Sequence, residues 1–448
     1  MSSGPRICIL GAGPGGLSAA WYLRERGYAH VTVLEQADAV GGKCHTFSHQ
    51  GKSFELGAFT ATLAYGAVLD LADAVGAQRT TQPLRKAVDW RGAQPQVQSL
   101  LVAALAGSSV LGLAMASLRY AGALWHYRSV LRRPGFTGVA AAFPELAQPY
   151  RAFADERGFG ALTDLFRLAV NDMGYGELRE IPAAYVLRYL GFLNVLNVGL
   201  YALGLGFGWP KRFVQGYGRL WERISWRTDV RLGCQIHSME RSDSAVTVRW
   251  TETTKDDAGV TLRRECTETF AALIVSCQPQ LTGTQMQWSA REASLFGQIR
   301  WNRYWVTACE IKGLPEITLD AIQGLEPGHA WEIMRPWADA DLGVFYTFGG
   351  PSDSPAITPA EVLSGIHQDV ARLYPQASVG PVVQQICWNY FPHVDRAALQ
   401  AGFYDQFETL QGENSTFYAG GTPAFETVVN VVEYSKALVD RFFPPVGS

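Results

Sequence analysis

The most constraining feature of the chain lies near its start, where the apolar run Ile7-Cys8-Ile9-Leu10 stops abruptly at Gly11. Four apolar residues ending on glycine read as a strand buried on both faces of a parallel sheet. Gly11, Gly13 and Gly16 then stand in the spacing G-x-G-x-x-G. That spacing permits a tight turn, a close approach of backbone to a pyrophosphate, and contact between the following helix and the strand. Leu17 to Arg26 has helical composition, and its first turn would offer free amides and a positive dipole end to that anion. Val31 to Leu34 makes a second strand; Glu35 follows it, 19 residues after Gly16, where a carboxylate accepts hydrogen bonds from ribose hydroxyls. A glycine-rich turn alone is an ordinary loop, whereas strand, glycines, helix, strand and acid in register describe a nucleotide-binding unit.

Charge and cysteine usage narrow the class. The 41 acidic and 38 basic residues nearly cancel and no dense basic run occurs, which gives no footing for a nucleic acid partner. Seven cysteines are scattered, odd in number and free of any C-x-x-C pair, a pattern that predicts reduced thiols in a cytoplasmic protein and neither a disulfide framework nor a metal site. The opening MSSGPR runs directly into the first strand, so no secretory signal is expected.

Beyond Glu35 comes the turn Gly41-Gly42-Lys43, then a cluster of small residues at Gly57 and Ala58 where a backbone could approach a ring or simply turn into a helix from Tyr65 to Val75. Ser99 to Leu118 carries no charge and Tyr189 to Pro210 is rich in Leu, Phe and Gly. By length the first qualifies as a spanning helix; it can equally be a buried helix or one lying in a membrane interface. Two such segments suggest a long apolar cavity, with weak peripheral membrane contact as a further expectation. Phe213 to Pro279 returns to strand and helix patterns, with two strands joined at Arg241 to Ser244 and a buried strand from Ala271 to Ser276 that rejoins the first sheet. Leu281 to Gln385 is aromatic, including Trp301, Tyr304, Trp331 and Tyr346, suited to pocket walls or to ordinary core. Asn414 to Gly421 reads as a strand opening on a glycine turn, and Glu426 to Phe443 as a closing helix.

The Gly41-Gly42-Lys43 turn after the acidic residue resembles the flavin-dependent amine oxidase, phytoene desaturase and protoporphyrinogen oxidase superfamily. The resemblance implies FAD as cofactor, contacted by Gly11, Gly13, Gly16, Glu35, Gly42, Lys43, Gly57, Ala58, Gly420 and the first amides of the closing helix near Val429. In that superfamily the residue after the Ala419-Gly420 pair is usually acidic; here it is Gly421, so that side-chain contact is missing. The implied architecture is α/β: a Rossmann-type FAD-binding domain from 1–78, 211–280 and 389–448, and a discontinuous α+β substrate-binding domain, amine oxidase-like, from 79–210 and 281–388.

Gly174-Tyr-Gly176 leading to Ile181-Pro-Ala-Ala-Tyr-Val186, Trp388-Asn-Tyr-Phe-Pro-His-Val394, Ala401-Gly-Phe-Tyr404 and Phe417-Tyr-Ala-Gly420 look more narrowly like the bacterial polyenoic fatty acid isomerases. That resemblance is weakest from Ala93 to Arg133, where this chain is far more apolar. It implies an unsaturated, lipid-like small-molecule substrate whose doubly allylic hydride passes to flavin N5 and returns to the other end of the pentadienyl system. Arg85, in Leu84-Arg-Lys, matches the arginine that holds the fatty-acid carboxylate, with Lys86 and Arg91 as neighbouring rivals and a solvated surface arginine as the plain alternative. Tyr185, Tyr390 and His393 would line the flavin face, although His393 reads equally well as a packed histidine at a strand end. Alternatives from the same site are a net oxidase or desaturase of a lipid-like or amine substrate, and a non-catalytic lipid-binding flavoprotein.

Overall fold

The structure is a computed structural model that describes residues 4–82, 85–90, 94–105, 108–205, 210–255, 259–321 and 326–447. Arg6–Leu10 lies inside a parallel sheet in the order Thr416–Tyr418, Ala272–Val275, Arg6–Leu10, His30–Leu34, Asp229–Arg231. Its last four residues are buried, as an apolar run flanked by strands on both sides requires. The chain turns one way from Arg6–Leu10 to His30–Leu34, while Ala272–Val275 takes the other flank. Gly11 therefore sits at the carboxyl end of a strand where the order reverses, the place at which open α/β sheets bind ligands. Helix Pro14–Glu25 begins three residues earlier than the composition of Leu17 onward implies, because Pro14 is tolerated in a first turn that needs no amide from it. It packs on the last helix, Val428–Phe442, and the two cover one face of the sheet.

An antiparallel meander, Cys234–Arg241, Val246–Lys255 and Thr261–Phe270, leads into Ala272–Val275. No apolar period marks its third strand in the sequence, since Thr261–Phe270 is exposed along most of its length and carries charges in place of an apolar face. A larger sheet has the order Ser378–His393, Arg300–Lys312, Leu342–Pro351, Ala330–Arg335, Ile317–Ala321, Lys86–Asp89, Gln96–Ser99. Its long first strand reaches back toward the nucleotide-binding sheet, so that Trp388 and Tyr390 face the space between the two.

The uncharged stretch at 99–118 is not a single helix. Ser99 ends a strand, Leu100–Leu105 is a short helix, and Val110–His126 is a second one capped by Ser109, whose Oγ accepts from the Gly112 amide at 3.0 Å. Among the described residues no helix is long and apolar enough to cross a membrane. Tyr120, Tyr150, Phe153, Phe159 and Phe166 form a buried aromatic core beneath these helices. All seven cysteines carry free thiols.

Candidate active site

A cavity of ≈ 490 Å³ runs from Glu35 and Gly13 past Lys43, Ser276 and Gly420 to Tyr304 and Tyr390. Three glycine turns from distant parts of the chain meet along its first half. A Cβ on Gly42 would stand 3.2 Å from the Gly13 Cα, and one on Gly15 would stand 3.1 Å from the Gly420 Cα. No side chain fits between these turns, so their backbone faces the cavity directly. Gly11 has φ of 95°, which only glycine adopts without strain. A Cβ on Gly16 would lie 1.9 Å from the Gly11 carbonyl oxygen; Gly16 is there for contact between helix and strand and does not itself line the cavity.

The Pro14–Glu25 helix has Gly13 at its N-cap, no side-chain cap and no acid in its first turn. Its leading amides are thus left for an anion, and the cavity supplies the space for a pyrophosphate. Glu35 lines the same end; its carboxylate accepts from the Ala12 amide at 2.7 Å and the Ala37 amide at 2.8 Å, which fixes it and leaves lone pairs for ribose hydroxyls. The residues present therefore fit the ADP half of FAD.

Lys43 and Gly57 meet in the next part of the wall. The Ala58 amide donates to the Lys43 carbonyl at 2.9 Å, and a Cβ on Gly57 would clash with that same oxygen at 1.9 Å. The Lys43 ammonium is paired with the Glu426 carboxylate, and it lies 5.6 Å from the Tyr390 ring centroid. The other oxygen of Glu426 accepts from the Phe391 amide.

The far half of the cavity is aromatic. Tyr390 lies 5.4 Å from both Tyr175 and Tyr304, and Tyr189 stacks on Phe425 at 5.4 Å. Their polar tips are largely occupied: Trp388 Nε1 donates to the Leu56 carbonyl at 2.7 Å, Tyr346 donates to the Glu55 carbonyl at 3.1 Å, and the Tyr304 hydroxyl donates to the Asp172 carbonyl. Burial pushes the phenols of Tyr175, Tyr304 and Tyr390 far above their usual range. The walls therefore offer ring faces and methylenes, with no tyrosine able to ionise near neutral pH.

Of the expected site residues, Glu35, Gly11, Gly13, Gly42, Lys43, Gly57, Ala58, Gly420 and Tyr390 all line the cavity. Five others stand elsewhere, Gly16 at the helix–strand contact already described among them. Tyr185 is in the helical core, where it pairs with the Tyr404 hydroxyl at 2.8 Å and accepts from the Val394 amide at 3.1 Å; one turn further along helix Ala183–Tyr189, Tyr189 reaches the cavity instead. His393 stacks on Phe391 at 4.5 Å and its Nδ1 bonds the Phe391 carbonyl at 2.7 Å. Phe391 has φ of 54°, which turns the strand end so that Pro392 lines the cavity and His393 packs behind it. Val429 is buried in the core between helix and sheet; Thr427 and Val428 are the residues of that helix start which line the cavity.

Arg85 also stands behind the wall, its guanidinium 5.4 Å from the Phe59 ring. It binds both oxygens of Asp320, with Nε to Oδ2 at 2.7 Å, and pairs with Glu332 at 2.7 Å. Asp320 and Glu332 are directly opposed on adjacent antiparallel strands and almost wholly buried. Burial raises both carboxyls, Glu332 up to about 8 with the charge of Asp320 adding to it, and Arg85 is the cation that partly offsets this. Arg85 does not line the cavity; its guanidinium faces two carboxylates of the fold. Its rival Lys86 is exposed at the start of the Lys86–Asp89 strand, and Arg91 lies outside the described residues.

The doubly wound sheet, the glycine-lined cradle and the aromatic chamber define an FAD-dependent enzyme with the amine oxidase fold. Residues 9–75 match the family of NAD(P)-binding Rossmann-like domains. The FAD-dependent oxidoreductase dpasF of Apiospora sacchari is 24% identical over 98% of this chain and 92% of its own. The crystal structure of the CLA-producing fatty acid isomerase from P. acnes superposes with a TM-score of 0.84 at 25% identity, covering 99% of this chain and 100% of that one. Cyclohexylamine oxidase from Brevibacterium oxydans IH-35A superposes at 0.63, with 15% identity over 97% of this chain and 99% of that one.

Proposed function

We propose that this enzyme isomerises double bonds in an unsaturated, lipid-like or polyene substrate by removing and returning one hydride within the chamber. Bound FAD supplies a reversible two-electron acceptor, the kind of chemistry that side chains lack. The observation that carries the reading is the substrate chamber itself, walled by Phe59, Met173, Tyr175, Tyr189, Tyr304 and Tyr390. In its aromatic half the phenols are raised by burial and serve no acid–base role near neutral pH, while a delocalised cation would be stabilised by the ring faces. The residues then act by alignment and by excluding water. Glu35 and the glycine turns hold the cofactor's ADP half, and Lys43 with Glu426 braces the wall that Tyr390 completes. Likeness to the fatty acid isomerase supports the same reading. The cofactor-holding part would comprise 1–78, 211–280 and 389–448, and the substrate part 79–210 and 281–388.

The carboxylates around Arg85 refine the substrate. A third carboxylate would have to displace Asp320 or Glu332, so the reading favours a substrate whose head group is an ester, thioester or hydrocarbon over one anchored as a free acid. The second reading, net dehydrogenation of a lipid-like or amine substrate, is supported by the oxidoreductase relative that spans nearly the whole chain.

A substrate deuterated at the doubly allylic methylene tests the choice. Internal return keeps the label in the isomerised product, with a primary isotope effect and no oxygen uptake. One hydrogen peroxide per turnover would select net oxidation, and solvent deuterium at the new carbon–hydrogen bond would reject hydride return.

A further inference from the structure

Two surface helices remain that the chemistry does not use. Val110–His126 buries Ala116 and Tyr120 in the aromatic core, yet its outward face is apolar too: Leu111 is 74% exposed, Leu118 68% and Trp125 64%. Positions 111, 115, 118, 122 and 125 follow one helical stripe, occupied by Leu, Met, Leu, Gly and Trp. Phe192–Ala202 repeats the arrangement, with Val195 packed on the same core and Phe192, 65% exposed, turned outward beside Leu193 and Leu196. The first helix is tied to the turn that leads into the second, since the Tyr120 hydroxyl donates to the Leu190 carbonyl at 2.8 Å. Tyr189, the next residue back, lines the flavin cavity. Apolar faces of this extent, on two helices that pack on one core through Leu113 and Val195, are what a soluble surface avoids.

The charge around them identifies the occupant. No Asp or Glu occurs between Asp89 and Glu145 or between Glu180 and Glu222, in a chain whose formal charge is -3. The first interval holds Arg119, Arg128, Arg132 and Arg133, all exposed and three of them beyond the C-terminal end of the apolar helix. The nearest acids across the loop from Arg119, Asp155 and Glu156, are already paired with Arg151 and Arg157. Arg128 lies over the exposed Trp125 ring at 4.3 Å, an aromatic and a cation side by side at the helix end. Such a pair suits the headgroup level of a bilayer.

We propose that these two helices dock the enzyme on an anionic lipid surface, lying in its interface without crossing it, with the cavity wall at Tyr189 next to the docked face. A second copy of the chain is disfavoured because a two-fold contact would place each arginine cluster beside its own image, with no acid to pair. An anionic bilayer supplies both the apolar phase and the negative charge.

Flotation of the FAD-loaded enzyme with vesicles tests this without any substrate. Vesicles of phosphatidylcholine mixed with phosphatidylglycerol should carry the protein up, phosphatidylcholine alone should carry markedly less, and high salt should release it. Leu111→Gln with Leu118→Gln, and separately Arg132→Glu with Arg133→Glu, should each lower binding by roughly tenfold or more while bound FAD and the melting midpoint stay unchanged. Wild-type protein that does not float, or variants that float as well as wild type, would overturn the proposal. So would a dimer that the leucine variants dissociate in the absence of any lipid binding, since that makes a second copy the occupant.

Discussion

Lys43 and Glu426, 383 residues apart, form an ion pair in the wall of the flavin cavity. The pair stands beside Gly421, the position at which the resemblance drawn from the sequence implies an acidic side chain. A Cβ on Gly421 would stand 3.2 Å from both the Cγ and Cδ atoms of Glu426, so the Glu426 side chain occupies the volume that a longer residue at 421 would take. Glycine at 421 is what makes room for the Glu426 carboxylate in the cavity wall.

Exchange of the two positions follows from that geometry. Glu426→Ala should weaken FAD retention on the order of tenfold to a hundredfold, the range for losing a hydrogen bond to a charged group. Gly421→Asp alone should also weaken it, by crowding one carboxylate against another. The double variant returns a single carboxylate to the same volume and should recover part of the loss, as read by FAD release on ultrafiltration. A double variant worse than both singles would show that the two side chains do not share one role.

Glu35 makes a separate contribution at the other end. Its two oxygens already accept the Ala12 and Ala37 amides, so Glu35→Ala removes a ribose acceptor and frees two turn amides together. A loss of about 1–3 kcal/mol in FAD binding is expected, measured by fluorescence titration of the apoprotein. Glu35→Gln, which keeps one acceptor oxygen, should fall between wild type and Ala.

What the sequence disclosed and what it hid divide along chain distance. Residues 6–58 were legible because strand, glycines, acid and Gly-Gly-Lys turn are contiguous, and each carries a residue type with a steric or charge reason to be there. The chamber was only partly legible: Tyr175, Tyr189, Tyr304 and Tyr390 come from four separated segments, and nothing local distinguishes them from core tyrosines. Tyr185 and His393 were missed by phase. One helical turn separates Tyr185 from the cavity-lining Tyr189, and a left-handed Phe391 puts Pro392 where His393 was expected. The carboxylate partners of Arg85 lie on strands more than 230 residues away, and only folding brings them to it.

The Arg241–Glu292 pair sets an acid limit to stability. Arg241 reaches Glu292 at 2.7 Å, and Glu292 also accepts from the Tyr418 hydroxyl at 2.5 Å and the Ser289 amide at 2.7 Å. Burial pushes the carboxyl up, but the bonds from Arg241, Tyr418 and Ser289 outweigh it and bring it down to about 2. A depressed folded value means stability that is present above the ordinary range near 4.5 and lost as pH falls toward 2. Glu292→Gln should be less stable at neutral pH by about 3–5 kcal/mol, because Arg241 stays buried without its anion. Its denaturation midpoint should change less than that of wild type between pH 4.5 and pH 2, measured by urea unfolding across that interval.

Arg85 separates a structural arginine from a substrate anchor. Burial pushes the Asp320 and Glu332 carboxyls up and Arg85 pulls both back toward ionisation. Arg85→Met therefore leaves two buried acids facing each other across paired strands, with Asp172 a third beside them, without the cation that favours their ionised forms. The variant should lose about 3–5 kcal/mol of stability, the cost of breaking a buried ion pair from one side. Arg85→Met combined with Asp320→Asn and Glu332→Gln removes the charges together and should regain most of that loss. An anchor for free fatty acid predicts the opposite pattern: unchanged unfolding free energy in Arg85→Met, with KM raised for a free acid and untouched for its methyl ester. Urea unfolding of the single and triple variants, beside KM for acid and ester on each, decides between them. If stability holds and only the free acid suffers, the guanidinium serves substrate and the head-group reading proposed above falls.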